Sequence, residues 1–182
     1  MLFRSKARPG KLNYGTGGAG TGPHLAGELL NMMSGAKIVH VPYKGTGPAL
    51  TALLSGEVDL TFDNLLIVLP HVKAGRVRPI AATGDTRSKL MPELPTIAES
   101  GFPGFSASGW YGLLAPVATP KEIVAKLNAD FTRALRSPDV SDRLNSMAAE
   151  PAPTTPEQFA AFIRSETEKW AKVVRATNMK AE

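Results

Sequence analysis

Two glycine turns carry the clearest chemistry in this chain. Gly20-Thr21-Gly22-Pro23-His24-Leu25 and Gly45-Thr46-Gly47-Pro48-Ala49-Leu50 recur 25 residues apart, and each follows a short apolar run and opens a leucine-bearing segment. Glycine lets the backbone turn sharply, and proline fits the first turn of a helix, where its missing N–H costs nothing. Each copy therefore reads as a strand-to-helix turn. Two helix N-termini delivered to one sheet edge present unpaired amides and positive dipole ends, a setting for an anion such as a carboxylate. The hydroxyls of Thr21 and Thr46 stand beside those N-termini.

Other polar residues are compatible with more than one role. His24, in the first helical turn, fits either ligand contact or packing against the sheet. Asp63, followed by Asn64, ends the third expected strand and so reaches the same carboxyl edge, where open α/β sheets collect ligands. It fits a partner for a ligand amine or hydroxyl, a loop-ordering group, or a helix N-cap. His40 and His71 read as structural or exposed, and their spacing matches no metal motif. Trp110 and Tyr111 fit a cleft wall or a core.

Gly15-Thr16-Gly17-Gly18-Ala19-Gly20 formally matches G-x-G-x-x-G after a strand, so a dinucleotide-binding oxidoreductase using this loop is the alternative reading. Pro23 falls three residues beyond the third glycine, where that motif's helix is already under way. The acidic residue that would hold a ribose about 20 positions on is replaced by Pro42-Tyr43-Lys44. No Walker A lysine follows the glycines. No G-x-S-x-G elbow or triad spacing supports catalysis, and no paired carboxylates stand out. The expectation is a binding protein with no cofactor and no catalytic residue.

Composition agrees with a globular binding module. The chain has 182 residues, a hydrophobic fraction of 43%, a charged fraction of 20% and a net charge of +5. Its basic residues are dispersed and not interleaved with aromatics, so the charge favours anions generally and argues against a nucleic-acid partner. Zero cysteines exclude disulfides, thiolate metal sites and cysteine nucleophiles. No apolar run approaches the roughly 18 residues of a membrane span. The stretch Met1 to Gly10 lacks the hydrophobic region of a signal peptide.

The elements that must position these residues follow from spacing. After a basic leader, strands are expected at Lys11 to Tyr14, Ile38 to Val41, Val58 to Phe62 and Val77 to Ala82. Helices are expected from Pro23 to Gly35, from Pro48 to Gly56 and from Asn64 to Lys73, the last kinked or split at Pro70. Alternating strands and helices with short joins predict βαβ units and a mostly parallel sheet of at least four strands. Beyond Thr83 prolines and glycines permit at most a short helix at Thr96 to Ser100, and Ser108 to Ala115 reads as extended. Thr119-Pro120-Lys121-Glu122 and Thr155-Pro156-Glu157-Gln158 each signal a capped helix. The last helix lines up Phe159, Phe162, Ile163, Trp170, Val173 and Val174 on one face, which needs a partner.

Taken together, Leu12-Asn13-Tyr14-Gly15, the glycine run ending in His24-Leu25-Ala26-Gly27-Glu28, Val39-His40-Val41-Pro42-Tyr43-Lys44-Gly45, Gly56-Glu57-Val58-Asp59, Phe62-Asp63-Asn64, Pro70-His71-Val72-Lys73-Ala74-Gly75 and Trp110-Tyr111-Gly112-Leu113-Leu114-Ala115-Pro116 resemble the substrate-binding receptors of tripartite tricarboxylate transporters, the Bug or TctC-like family. The likeness runs from Arg8 onward, with its blocks in order. It implies an α/β, type II periplasmic binding-protein fold. One nearly complete lobe, a mostly parallel sheet with flanking helices, would occupy 10–105, and 106–182 would supply the returning strand and helices of the other lobe. It also implies an extracytoplasmic, periplasmic receptor that binds a small organic carboxylate without chemistry and hands it to transporter membrane subunits. Carried over residue by residue, the ligand set is Thr16, Gly17, Gly18, Gly20, Thr21 and His24, with Lys44, Gly45 and Asp63. Family members begin with a signal peptide and an opening lobe segment that this sequence does not contain. The chain is thus expected to be a truncated gene product, a product of a mis-assigned start or a deliberate fragment, with impaired binding and its aromatic stripe left without strands or covered by self-association.

Overall fold

The structure, a computed structural model, describes residues 9–147 and 149–179; the basic leader lies outside the described residues. In chain order the elements are β1 (Asn13–Thr16), α1 (Gly22–Ser34), β2 (Val39–Pro42), α2 (Thr46–Ser55), β3 (Leu60–Thr61), α3 (Leu65–Lys73), α4 (Lys121–Arg136), α5 (Pro138–Ser146) and α6 (Pro156–Thr177). The strands form one sheet in the order β2-β1-β3, parallel throughout, with Tyr14 opposite both His40 and Leu60. Parallel pairing puts the carboxyl ends of all three strands, and the loops that leave them, on a single edge. The expected α/β class is present. Two compact units divide the chain, Met1–Gly109 with Trp170–Glu182, and Trp110–Lys169.

In the first unit, β1 is central because it pairs with β2 along one edge and β3 along the other, and its residues Tyr14 to Thr16 are buried. Tyr14 is fully buried, and a Cβ on Gly27 of α1 would lie 2.3 Å from its ring, so helix and strand meet at a distance only glycine permits. Around Tyr14 cluster Leu29, Leu30, Ile38, Leu60, Ile97, Phe105 and Val173, the last from α6. Gly35 ends α1 in the left-handed region at φ 66°, its N–H bonded to Asn31 O at 2.9 Å. Gly56 ends α2 in the same way.

Several expected elements are shorter or absent. β3 pairs only at Leu60–Thr61, because the neighbouring positions use side chains in place of ladder bonds. Asn13 N donates to Asp59 Oδ2 at 2.9 Å, Asp59 N to Asn13 Oδ1 at 2.8 Å, and Thr61 Oγ1 to Gly15 O at 2.9 Å. The fourth strand at Val77 to Ala82 does not form, which leaves a three-stranded sheet. Pro79 removes a ladder donor, Ile80 is half exposed, and only a single parallel bridge joins Ala82 to Thr96. In place of the short helix at Thr96 to Ser100 there is one capped turn, in which Thr96 N donates to Glu99 Oε2 and Glu99 N to Thr96 Oγ1, stopped by Gly101 at φ 104°. Pro70 lies inside α3 without splitting it, and Ala74 N bonds to Pro70 O beyond it at 3.0 Å.

The second unit holds α4, α5 and α6 up to Lys169. Ser108 to Ala115 forms no strand: it has no partner, and Tyr111 is 95% exposed. Thr119 does not cap α4, which starts after Pro120 with no side-chain cap. Thr155 does cap α6, with Thr155 N bonded to Gln158 Oε1 at 2.9 Å and Gln158 N to Thr155 Oγ1 at 3.2 Å. α5 is a helix that the spacing did not reveal. Phe159 and Phe162 meet Trp110 edge-on at 5.7 and 5.3 Å, so this part of the stripe packs on another aromatic in place of strands, and Phe162 and Trp110 stay partly exposed. Farther along α6, Trp170 and Val173 complete the first unit's core.

Candidate functional site

All nine sequence-derived candidates lie in the first unit, at or just beyond the carboxyl edge of its sheet. Thr16 ends β1, Gly17 to Thr21 form the loop after it, His24 sits in the first turn of α1, Lys44 and Gly45 follow β2, and Asp63 follows β3.

The two glycine turns touch. Tyr43 N donates to Thr16 O at 2.9 Å, continuing the sheet ladder one step, and Gly45 N then donates to Gly17 O at 3.1 Å. A Cβ on Gly17 would stand 3.1 Å from both Gly45 C and Thr46 N, all backbone atoms. That proximity sets the N-terminus of α2 beside the loop that opens α1. Neither helix has a side-chain cap. Thr21 occupies the cap position of α1 in an extended conformation, yet its hydroxyl donates to Gly18 O at 2.8 Å. Gly45, at the cap position of α2, has no side chain to offer. First-turn amides of a helix have no acceptor within it, and each uncapped N-terminus carries roughly half an elementary positive charge. Lys44 is exposed beside them.

Beneath the first turn lies a polar support that the sequence did not disclose. Thr16 is 1% exposed; its hydroxyl meets Gly18 O at 3.1 Å and His40 Nε2 at 2.7 Å. His24 is buried, and its Nδ1 accepts from Gly20 N at 3.1 Å. The two imidazoles are stacked, with centroids 3.7 Å apart and planes at 14°. Gly20 takes φ 73°, a left-handed conformation that aims its N–H back at His24 and that an L side chain adopts only with strain. So Thr16 and His24 shape the loop from below, while Gly17, Gly18 and Gly20 form it. His40, read from the sequence as structural or exposed, belongs to this group. Its signal was strand alternation: Ile38 is buried and Val39 exposed, so His40 turns inward beside Tyr14.

Electrostatics follow from burial. Desolvation pushes the imidazole of His24 below its ordinary range, against the opposing pull of Glu28. For His40, desolvation and then the charge of His24 lower it to about 4. The Glu28 carboxylate is itself held by Tyr14, whose hydroxyl donates to Oε1 at 2.7 Å. That phenol is raised well above its usual value, first by burial and then by Glu28. Asp63 is half-buried, and desolvation raises its carboxyl, opposed by the N–H of Asn64 on Oδ1 at 2.8 Å. Asn64, not Asp63, caps α3, its Oδ1 accepting from Leu66 N at 2.9 Å.

Among the described residues no cluster of three or more His, Asp or Glu side chains could hold a metal ion, and no helix is long and apolar enough to cross a membrane. The helix after the Gly15–Gly20 run begins at Gly22.

Comparison with known proteins gives a consistent pattern. The family described as tripartite tricarboxylate transporter family receptor matches residues 2–179. Protein BugT of Bordetella pertussis is 38% identical over 180 residues, which make up 99% of this chain and 55% of that one. The UPF0065 protein in the tcbD-tcbE intergenic region of Pseudomonas sp. strain P51 is 38% identical over 96% of this chain and 52% of its own length. The chain thus spans about half the length of these curated relatives. Among solved structures, R. palustris Rpa4515 with adipate superposes with a TM-score of 0.84 at 37% identity, covering 98% of this chain and 60% of that one. MatC from Rhodopseudomonas palustris with bound malate gives a TM-score of 0.74 at 34% identity over 95% of this chain and 60% of that one.

Proposed function

The chain belongs to the tripartite tricarboxylate transporter receptor family, and on that premise we propose that it binds a small organic carboxylate, without transforming it, on the paired turns at 17–21 and 43–46. The observation that carries this reading is the contact between the two glycine turns, in which Gly45 N at the uncapped start of α2 bonds at 3.1 Å to Gly17 O in the loop that leads to the uncapped start of α1. Backbone amides and positive dipole ends recognise a carboxylate group by geometry and charge and have no means of proton or group transfer.

In this reading Gly17, Gly18, Gly20 and Thr21 shape the first turn and Gly45 shapes the second, their bonds within the protein fixing both loops, while the first-turn amides of α1 and α2, which have no acceptor within their own helices, supply the donors. Thr16 and His24 act as supports beneath them. Lys44 adds a screened positive charge at the rim. Asp63, whose carboxyl accepts from Asn64 N at 2.8 Å, is the partner for a hydroxyl or amine on the ligand. Adipate and malate in the two solved relatives are both dicarboxylates, which supports that substrate class. The transporter's membrane subunits as partners, a periplasmic location, and the lobe assignments 10–105 and 106–182 stand as parts of the same proposal.

Calorimetric titration of the chain with adipate, malate, citrate and NADPH tests it. Saturable binding of at least one carboxylate, with no response to NADPH, is the expected outcome. Binding of NADPH with silence from every acid would overturn the proposal in favour of a dinucleotide site on the Gly15–Gly20 loop.

A further inference from the structure

The stacked imidazoles have no partner role in anion recognition as just described, yet they touch the binding turn at two points. His24 Nδ1 accepts the N–H of Gly20 at 3.1 Å, so this nitrogen is unprotonated and the ring's proton sits on Nε2. His40 Nε2 meets Thr16 Oγ1 at 2.7 Å, and that hydroxyl also faces Gly18 O at 3.1 Å and Gly18 N at 3.3 Å. A hydroxyl has one proton. With His40 donating from Nε2, Thr16 passes its own proton to Gly18 O and accepts from Gly18 N. Gly18 and Gly20 are then both held through neutral rings.

We infer that the His24–His40 pair is an acid-sensitive latch on the glycine turn, which holds the turn in its ligand-ready shape while both rings are neutral and releases it when His24 gains a proton. The ligand half of this inference rests on the carboxylate reading above. A proton on Nδ1 replaces the acceptor of Gly20 N–H with a second donor, and two donors facing each other at this distance repel. It also places a positive charge 3.7 Å from the face of His40, so the second ring cannot charge to relieve the first. The groups facing the pair are few. From α1 there is Glu28, already engaged by Tyr14 OH, and from β1 there is Tyr14, whose ring lies 6.5 Å from His24 and 5.1 Å from His40. Glu28 alone favours the charged form, while burial opposes it for both rings, and the lowered imidazoles put the change below neutral pH, towards about 4 for His40. The side-chain direction of Gly20 opens onto space, a Cβ placed there meeting nothing within 4 Å, so no side-chain packing on that side opposes a change in the turn.

The test uses the whole chain labelled with nitrogen-15 glycine and follows the Gly20 amide by NMR, as chemical shift and as hydrogen-exchange protection factor, from pH 7.5 to 3.5. The expected result is a single titration of the Gly20 signal with protection falling about tenfold per pH unit below its midpoint. His24→Asn puts an amide oxygen where Nδ1 stands, an acceptor that does not titrate. In H24N the Gly20 amide should stay protected across the range, a response that loss of packing alone would not produce. Adipate titrations of the wild-type chain and of H24N at pH 7.5 and 5.0 accompany the NMR series; the acid itself gains protons near pH 5, so the latch is read as a severalfold larger loss of affinity in the wild-type chain than in H24N. A flat Gly20 profile in the wild-type chain, or one in H24N that follows the wild-type curve, overturns the latch. If adipate, malate and citrate bind at neither pH while Gly20 titrates as described, the latch stands and the carboxylate reading falls.

Discussion

Gly17 and Gly45, 28 positions apart in the sequence, meet backbone to backbone, with the amide of Gly45 on the carbonyl of Gly17 at 3.1 Å. This contact holds the start of α2 against the loop that leads to α1, and any side chain on Gly17 would enter the gap.

Gly17→Ala tests that relationship. Its Cβ would sit 3.1 Å from Gly45 C and Thr46 N, and backbone atoms yield less easily than the end of a flexible side chain. The turns should separate by a few tenths of an ångström, enough to weaken one charge-assisted N–H bond. Such a bond is worth about 1.5–3 kcal/mol, so carboxylate affinity should fall roughly tenfold to hundredfold by calorimetry. Far-UV circular dichroism should be unchanged.

Gly27→Ala probes the contact between α1 and β1. The new methyl would lie 2.3 Å from Cε2 of Tyr14, a ring with no exposed surface to move into. Overpacking of this kind costs about 1–3 kcal/mol, read as a lower urea midpoint at constant slope. An unchanged midpoint would mean that Tyr14 is not held as described.

Stability should also depend on pH through the two imidazoles. Both are lowered in the folded chain, His40 to about 4, from an ordinary value of 6.5. The unfolded chain therefore binds more protons between these limits. Stability is full above about 6.5 and falls as the pH drops towards about 4. Solvent reaches part of this region, so the loss is on the order of 1–2 kcal/mol rather than the full shift. Urea denaturation at pH 7.5 and 4.5 measures it, and the His40→Gln variant should lose part of the difference.

The sequence by itself determined the α/β class, the first two strands, the first three helices and the helices that open at Lys121 and Pro156, and the loops that gather at one edge. These features rest on local physics: glycine and proline punctuation, helical spacing of leucines, and the right-to-left agreement of caps such as Gly35 and Gly56 with the elements they end. The candidate turns were legible for the same reason, since a repeated turn motif is written in consecutive residues. Tertiary structure decided the rest. Whether Val77 to Ala82 became a strand depended on a neighbour able to pair with it, and Pro79 and an absent partner removed that choice. His40 joined His24 because β2 lies beside β1 in one register and α1 crosses above them, a relation among three elements that no single stretch of residues encodes. Non-local contacts of this kind are set by which surfaces come to bury one another, so a polar support under a binding turn stays hidden until the chain has folded around it.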